Sequence, residues 1–176
     1  MTTLRPGRTI RPFKIPYSRK SKYKSSNYAK VSQQPKITQY ISGNNSQKFD
    51  LKIAVLSKQQ LQIRENALEA ARIVANKYLT DNVGDQNFKL ILVSFPHQIL
   101  REHKLATGAG ADRFSSGMQK SFGKPTGFAA RVRAGDRVFE IHLNNDHLNE
   151  AKTAAVKIGK KLGVRTLYLV SKNGSV

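Results

Sequence analysis

Basic side chains flank a run of small residues between positions 101 and 113, a composition that suits a polyanionic ligand. Small residues let the backbone approach such a ligand closely, while arginine and lysine neutralise its phosphates. Five glycines lie between positions 105 and 127, too many for a stable helix, so we predict one long loop over residues 104–127. A loop of this length is usually functional or disordered, and disorder without a role stays the alternative. The cations of this segment are Arg101, Lys104 and Arg113.

The same loop holds residue types that enzymes use, but their spacing does not favour catalysis. Ser115, His103 and Asp112 are the types of a hydrolase triad, yet the Gly-x-Ser-x-Gly turn that exposes such a serine is lacking. His97 and His103 do not have the spacing of a helical ligand pair, and the chain has no cysteine. The Gly-Ala-Gly at 108–110 lacks the third glycine of a dinucleotide loop. We expect no enzyme activity, metal or cofactor; an RNA-directed enzyme using His103 and Asp112 stays an alternative.

Positive charge dominates the chain and is concentrated near its beginning. Its 176 residues include 31 lysines and arginines against 11 acidic residues, a formal net charge of +20. Eleven basic residues precede the first acid, Asp50. Such a stretch repels itself, so we expect residues 1–35 to form an extended arm that RNA orders, with interleaved aromatic rings that can stack on bases. The arm residues predicted to bind RNA are Arg5, Arg8, Arg11, Lys14, Arg19, Lys20, Lys22 and Lys24.

A basic segment with few acids could also bind a membrane or serve as a targeting signal for an organelle. A transit peptide is also rich in arginine and serine, but prolines at positions 6, 12 and 16 would break the amphipathic helix that it needs. No apolar run approaches the roughly 18 residues that span a bilayer. Nucleic acid is therefore the expected partner, and no membrane is expected.

Apolar periodicity predicts one domain of helices and strands over residues 36–172, with a tail at 173–176. Ser57 stands three residues before Gln60, as in a capping box, which predicts a first helix beginning at Lys58. Short strands and hairpins around two helices favour an α+β, two-layer, mostly antiparallel domain over a doubly wound parallel sheet. The predicted elements are strands at 36–41 and 49–56, a helix at 58–79, strands at 88–93 and 98–103, the long loop, a hairpin of 128–133 and 139–142, a helix from 145 or 146 to 162, and a strand at 165–170.

The sequence also predicts which side chains of these elements are buried and which are exposed. Phe122 should pack in the core, with base stacking as the alternative. The predicted hairpin should turn one basic face toward a phosphate backbone, with Lys124 of the preceding link presented in the same way. That face consists of Arg131, Arg133 and Arg137. The first helix should have a solvated side made of Gln62, Glu65, Glu69, Arg72 and Lys77.

Several local motifs together resemble one protein family. They are Leu-Arg-Glu at 100–102, Ala-Thr-Gly-Ala-Gly-Ala-Asp-Arg at 106–113, Gly-Met at 117–118, Phe-Gly-Lys-Pro at 122–125, Gly127, Ala-Ala-Arg-Val at 129–132, residues 66–79, and Leu-Arg-Pro at 4–6. In these segments the chain closely resembles the archaeal and eukaryotic branch of the universal L-sixteen family of large-subunit ribosomal proteins, also called L-ten-e.

The resemblance implies an α/β-hammerhead-type domain that binds large-subunit rRNA in cytoplasmic ribosomes. It also implies that the loop points toward the acceptor ends of bound tRNA near the peptidyl-transferase centre, where peptide transfer itself belongs to RNA. Neighbouring ribosomal proteins and late maturation factors are the implied protein partners. The implied rRNA-binding set adds Lys120, Lys124, Arg131, Arg133 and Arg137 to the basic residues of the arm. The implied tRNA-proximal residues are Arg101, Lys104, Thr107, Gly108, Gly110, Asp112 and Arg113.

The chain departs from the family pattern at one position of the loop. The family usually has an arginine after Gly117-Met118, whereas this chain has Gln119 followed by Lys120. A contact at this point is therefore expected to be shifted or weakened. Composition alone also permits a free-standing RNA or DNA chaperone, which, unlike a ribosomal protein, would not co-sediment with large subunits.

Overall fold

Two antiparallel sheets and two helices make up the part of the chain that the computed structural model describes, residues 5–13, 36–106, 108–119 and 121–172. The larger sheet has the strand order β1-β4-β7-β2-β8 and the smaller one β3-β6-β5, and every pairing among these strands is antiparallel. The predicted α+β class is confirmed. The elements are β1 Ile41–Gly43, β2 Leu51–Ser57, β3 Leu61–Arg64, α1 Glu65–Val83, β4 Phe88–Leu92, β5 Gln98–Glu102, β6 Lys124–Val132, β7 Arg137–Leu143, α2 Leu148–Leu162 and β8 Thr166–Lys172.

Burial of apolar surface explains the layering. The strands of the larger sheet alternate, so that one face carries the cross-strand pairs Ile53–Ile141 and Val55–Phe139. Both helices pack against each other and turn their apolar sides to that face, with Ile158 of α2 fully buried. Strands β4, β5 and β8 lie where the sequence predicted strands, and α2 ends at Leu162 as predicted. Neither described helix is both long and apolar enough to cross a membrane.

The predicted hairpin of β6 and β7 is wrong, because the two strands lie in different sheets. The chain turns at residues 133–136, where Arg133 N donates to Asp136 Oδ2 at 2.8 Å. Beside this turn the chain also passes from β2 to β3, and Gly135 N donates to Ser57 O at 2.8 Å. The two crossings therefore form one corner. Alternation shows which face of a strand is apolar, but it does not identify the partner strand.

The predicted start of the first helix is also wrong. Residues 61–64 form β3, which pairs with β6, and α1 begins at Glu65. Ser57 does not cap a helix: its Oγ donates to Gln59 O at 2.7 Å within a local turn. Leu61 and Ile63 follow the period of two that suits a strand, while Leu61 and Leu68 also match helical spacing. Pairing with β6 decides between the two patterns.

The prediction of a solvated side on the first helix is also largely wrong. Glu65 and Arg72 of α1 are buried, and so is Gln62, which lies in β3. Arg72 donates to Glu69 Oε1 at 2.6 Å and to Thr38 Oγ1 at 3.0 Å. The hydrogen bond from Arg72 lowers the pKa of the Glu69 carboxyl, against the opposing effect of burial. Glu65 and Arg72 have hydrogen-bond partners within the protein, which offsets the penalty of burying them, whereas the buried Oε1 atom of Gln62 has none among the described residues.

Further boundaries differ from the prediction, and α1 continues to Val83 instead of ending at position 79. The first strand is β1 at Ile41–Gly43 instead of 36–41. The long loop ends at position 123, because β6 begins at Lys124 and pairs there with Glu102. Asn145 and Asp146 do not cap α2; they belong to a 3-10 turn, Asn145–His147, that precedes it and has no side-chain cap. The division into an arm, a domain and a tail stays a prediction, because most of the arm and all of residues 173–176 lie outside the described residues.

Candidate nucleic-acid interface

The glycine-rich loop is the tip of a hairpin in the smaller sheet. Strand β5 pairs with β6, and residues 103–123 connect them. From Phe128 onward strand β6 is buried except at the partly buried Arg131, whereas its first four residues are exposed or partly exposed. The loop therefore extends from the end of the sheet that lies away from the core.

Three contacts shape the base of the loop: two join its start to its end, and the third joins its start to Gly117 within the loop. Arg101 Nη1 donates to Gly123 O at 3.1 Å, and the Arg101 guanidinium lies 4.5 Å from the centre of the Phe122 ring. His103 Nε2 lies 2.7 Å from Gly117 O, a hydrogen bond when Nε2 carries the proton. The prediction that Phe122 packs in the core is wrong, because its side chain is 65% exposed. Arg101 thus shapes the base of the loop through a cation–π contact.

Two segments of the chain approach each other closely at the base of the loop, which explains why a glycine is needed at position 123. A Cβ there would lie 2.6 Å from His103 N and 2.7 Å from Glu102 O, closer than real contacts allow. Its φ is not positive, so space and not backbone conformation requires the glycine.

The far part of the loop is a compact turn rather than an extended strand. Gly108 and Gly110 have φ values of 123° and 79°, which glycine adopts without strain. A 3-10 turn, Ala111–Arg113, follows, and Ala111 O accepts hydrogen bonds from Phe114 N and Ser115 N. These bonds give the exposed turn a defined shape.

Cations and apolar side chains share the surface of this turn. Lys104 and Arg113 are exposed, as is Asp112. Phe114 is 86% exposed and Met118 is 68% exposed. Cations beside exposed rings are the combination that contacts phosphates and stacks on unpaired bases. Of the predicted loop residues, Thr107 lies outside the described part of the chain.

The N-terminal segment of residues 5–13 packs along the open edge of β3, although the sequence predicted that RNA would order this part of the arm. Gln62 N donates to Arg11 O at 2.9 Å, and Gln62 Nε2 donates to Pro12 O at 2.7 Å. The Arg131 guanidinium lies 4.0 Å from the centre of the Phe13 ring. Backbone and ring contacts therefore position this segment on the smaller sheet.

The arginines of this segment differ in their partners. Arg5 Nε lies 2.9 Å from Glu102 Oε1 at the base of the loop, an ion pair between residues 97 positions apart. Arg8 and Arg11 are exposed, and neither forms an ion pair with a described acid. The other arm residues predicted to bind RNA lie outside the described residues, and so does Lys120. These arm residues are Lys14, Arg19, Lys20, Lys22 and Lys24.

The predicted basic face of Arg131, Arg133 and Arg137 is divided. Arg131 is partly buried beneath Phe13, Arg133 is exposed in the turn, and Arg137 begins a strand of the other sheet. Arg137 Nη1 also donates to Glu140 Oε1 at 2.8 Å. The three arginines therefore do not form one hairpin face. Lys124, at the start of β6, is exposed beside the loop.

Sequence reasoning missed a second basic region, on the face of the larger sheet opposite the helices. Lys89, His142 and Lys52 are cross-strand neighbours in one row of β4, β7 and β2. Burial lowers the pKa of the His142 imidazole, Lys52 and Lys89 lower it further, and Glu140 opposes them. Alternation in β2 and β4 indicated that both lysines face away from the core. The row itself could not be predicted without the strand order.

Glu140 is the carboxylate at the centre of this face. Lys52 Nζ lies 2.9 Å from its Oε2. Burial would raise the pKa of Glu140, but hydrogen bonds and charge from Lys52 and Arg137 outweigh burial and hold it below the ordinary value. The carboxylate thus stays ionised and compensates part of the positive charge of the sheet.

The described residues contain no group of three His, Cys, Asp or Glu side chains that could hold a metal ion. His97 Nδ1 lies 3.0 Å from Phe95 O. The two histidines weighed as ligands or catalysts, His97 and His103, are thus both in contact with backbone carbonyls.

Comparisons with known proteins agree with the resemblance in the sequence. A family model described as ribosomal protein L16p/L10e matches residues 14–168. Large ribosomal subunit protein uL16 of Archaeoglobus fulgidus is 42% identical over 168 residues, which cover 96% of this chain and 93% of that protein. The uL16 proteins of Sulfolobus acidocaldarius and Methanococcus aeolicus are 40% and 39% identical, over 96% and 98% of this chain and 94% and 97% of their own lengths.

The chain is therefore a structural protein of the translation apparatus and not an enzyme. It belongs to the ribosomal protein L16p/L10e family, in its archaeal type, and is a constituent of the large ribosomal subunit in the cytoplasm.

Proposed function

We propose that this protein binds large-subunit rRNA by neutralising several phosphates, and that its glycine-rich loop supports the placement of tRNA acceptor ends near the peptidyl-transferase centre. The observation that carries the proposal is the loop of residues 103–123: its base is tied by Arg101 and His103, while Lys104, Arg113 and Phe114 are exposed beyond it. A tied base and an exposed basic turn suit a ligand contact that must keep one position.

The N-terminal segment supports the rRNA part of the proposal. Its backbone is held to β3 by hydrogen bonds, so Arg8 and Arg11 project from a defined line instead of from a free chain. A cation that is already positioned loses less entropy when it binds phosphate. Neighbouring ribosomal proteins and late maturation factors complete the proposed set of partners.

The rRNA contact can be tested through its salt dependence. Each phosphate neutralised contributes about 0.7–0.9 to the slope of log affinity against log salt. We expect Arg8→Gln with Arg11→Gln to lower affinity for a large-subunit rRNA fragment and to reduce the slope by about 1.5. Lys77→Gln is the control, since Lys77 is an exposed lysine of α1 that is not part of this segment. A slope that the double substitution leaves unchanged would exclude the segment as an anchor.

The tRNA contact can be tested by directed cleavage. The chain has no cysteine, so Ala109→Cys gives one attachment site for an iron chelate at the exposed turn. In large subunits that contain this variant, with bound tRNA, we expect hydroxyl radicals to cut the tRNA acceptor end. The same chelate on Lys77→Cys should leave that end intact. Cleavage confined to rRNA, with an intact acceptor end for both variants, would contradict the tRNA role while leaving rRNA binding untouched.

A further inference from the structure

The last strand, β8, is an exposed apolar edge. Among the described strands it pairs with β2 alone, so it lies at the end of the five-stranded sheet. Four consecutive apolar residues of β8 are 43–59% exposed. They are Leu167, Tyr168, Leu169 and Val170.

Such an edge is a hazard for a free protein. Open strand edges expose unpaired N–H and C=O groups, and natural proteins usually protect them with charges, prolines or a covering segment. Between Arg165 and Lys172 the strand has neither a charge nor a proline. Its aromatic, β-branched and leucine residues favour further strand pairing. The strand is thus suited to accept a neighbour.

A cleft of about 800 Å³ opens beside the first half of β8. Its walls come from the end of α2, from the corner where β2 leads into β3, and from Arg165–Tyr168 of the last strand. Val156, which is 45% exposed, contributes apolar surface, while Val55 and Leu61 also line the cleft but are almost fully buried. The cleft can therefore accept apolar side chains of a segment that lies along β8.

The charge of the cleft indicates what such a segment would carry. Among the described residues that line it, three are cations and none is acidic. A bound segment with carboxylates at the same end would gain complementary charge, whereas a basic one would be repelled. The cations are Arg11, Lys160 and Arg165. Because Arg11 is already proposed to contact rRNA, Lys160 and Arg165 are the two cations assigned to this segment.

We propose that β8 is the docking site for an extended, acidic segment of a neighbouring ribosomal protein, which adds a sixth strand to the larger sheet. By register, Tyr168 and Val170 share the face of Val55 and Ile53, and Leu169 lies on the opposite face. Alternate side chains of the added strand pack on these two faces, and its carboxylates lie near Arg165. Main-chain hydrogen bonds supply affinity and the cleft supplies specificity.

Neither RNA nor a second copy of the chain fits this edge as well. An RNA backbone does not present donors and acceptors at strand spacing, and its phosphates gain nothing from the apolar residues of β8. In an antiparallel pair of two β8 strands, Arg165 of each copy would approach Lys172 of the other. Like charges opposite each other destabilise strand pairs.

Photo-crosslinking tests the proposal in assembled subunits. A benzophenone amino acid replaces Leu169 in large subunits that contain the full chain, with Ile73, exposed on α1, as the control position. We expect one protein adduct from position 169, mapped to a segment with alternating apolar residues and at least two acids. A crosslink to rRNA, a crosslink to a second copy, or no crosslink at position 169 would each overturn the proposal.

A peptide of the crosslinked segment then tests strand addition directly. Its binding to the free full chain should slow amide exchange at Thr166–Lys172 at least tenfold. Arg165→Glu should weaken binding about tenfold, and a peptide with lysine in place of its acids should recover the loss. Binding without slower exchange in β8 would contradict an added strand. The salt slope of rRNA binding should be the same for Arg165→Glu as for the unaltered chain if Arg165 serves only this site.

Discussion

The two sheets of this protein have different roles: the larger one forms most of the core, and the smaller one carries the exposed loop. In the larger sheet, both helices cover one face, and the central strand, β7, contributes Phe139, Ile141 and Leu143, all fully buried. The smaller sheet is buried only where it approaches the helices, and its other end continues into the exposed loop of residues 103–123. Because of this difference in burial, we expect side chains of the same type to have opposite roles in the two sheets. A core ring should stabilise the fold, and a loop ring should contact a partner.

The largest difference in stability should appear when one aromatic ring in each region is replaced by alanine. We expect Phe139→Ala to lower the free energy of unfolding by about 3–5 kcal/mol, because it leaves a cavity in the core. Phe114→Ala should change it by less than about 0.5 kcal/mol, since that ring is exposed. Urea unfolding measures both. Equal losses for the two variants would show that the loop packs as part of the core.

A glycine pair sharpens the comparison at the base of the loop. Gly123→Ala should cost about 1–3 kcal/mol by overpacking, because its Cβ would overlap the backbone of Glu102 and His103. Gly7→Ala is the matched control: neither glycine has a positive φ, and a Cβ at Gly7 would meet only Arg64 Nη2, at 3.5 Å. Thermal unfolding of both variants gives the difference. If Gly123→Ala is no worse than Gly7→Ala, the loop base is looser than its hydrogen bonds imply.

The sequence predicted elements correctly where a local apolar or glycine pattern determines the structure. It did not predict which strands distant in the chain pair with each other. The short, nearly continuous apolar run from Phe88 to Val93 indicated a strand, and the glycine density of the loop disfavoured a stable helix. Alternation in β6 and β7 fits any antiparallel partner, so it suggested a hairpin where the chain instead passes between sheets. The predicted start of the first helix was wrong for the same reason: residues 61–64 form a strand only because they pair with β6.

The candidate interface was predictable only in its local parts. The glycine density and the family motifs indicated the basic loop, whereas the arm predicted from the charge run lies mostly outside the described residues and stays a prediction. The ion pair of Arg5 with Glu102 and the row of Lys89, His142 and Lys52 join residues far apart in the chain, so spacing could not predict them. Side chains that look free in the sequence, such as Arg131 and Arg137, turn out to have partners inside the protein.

The Glu140 carboxylate should show how the larger sheet depends on pH. Its pKa is below the ordinary value of 4.5 in the folded state, so its contribution is complete above the unfolded pKa and is lost as pH falls through the folded pKa. We expect Glu140→Gln to cost about 1–3 kcal/mol near neutral pH. This difference should begin to shrink as pH falls below the ordinary value of 4.5 and should be lost once the pH is below the folded pKa.

The measurement is denaturant unfolding between pH 7 and pH 3, with His142→Gln present in both chains. That background removes the imidazole, whose own pKa is lowered by burial and by the nearby lysines. Asp81→Asn, at an exposed position of α1, is the control. A Glu140→Gln penalty that persists unchanged at pH 3 would mean that shape, and not charge, accounts for it.

The smallest effect on stability should come from the corresponding carboxylate of the smaller sheet. Glu102 pairs with Arg5, whose side chain is 60% exposed, and such surface pairs contribute about 0–1 kcal/mol and are screened by salt. We expect Glu102→Gln to reduce stability by less than about 0.5 kcal/mol. Loss of the carboxylate releases the Arg5 guanidinium toward solvent, so the salt slope of rRNA binding should rise by up to about 0.9.

Stability and RNA affinity should therefore move in different directions for Glu102→Gln. Arg5→Gln in the same background separates the causes: if the released guanidinium binds phosphate, the second substitution returns the slope to its original value. A Glu102→Gln chain that loses as much stability as Glu140→Gln, with no change in slope, would make the Arg5 pair a structural element of the loop base. The proposed separation between the two sheets would then fail at that point, because the smaller sheet would depend on its surface carboxylate as the larger one depends on its buried carboxylate.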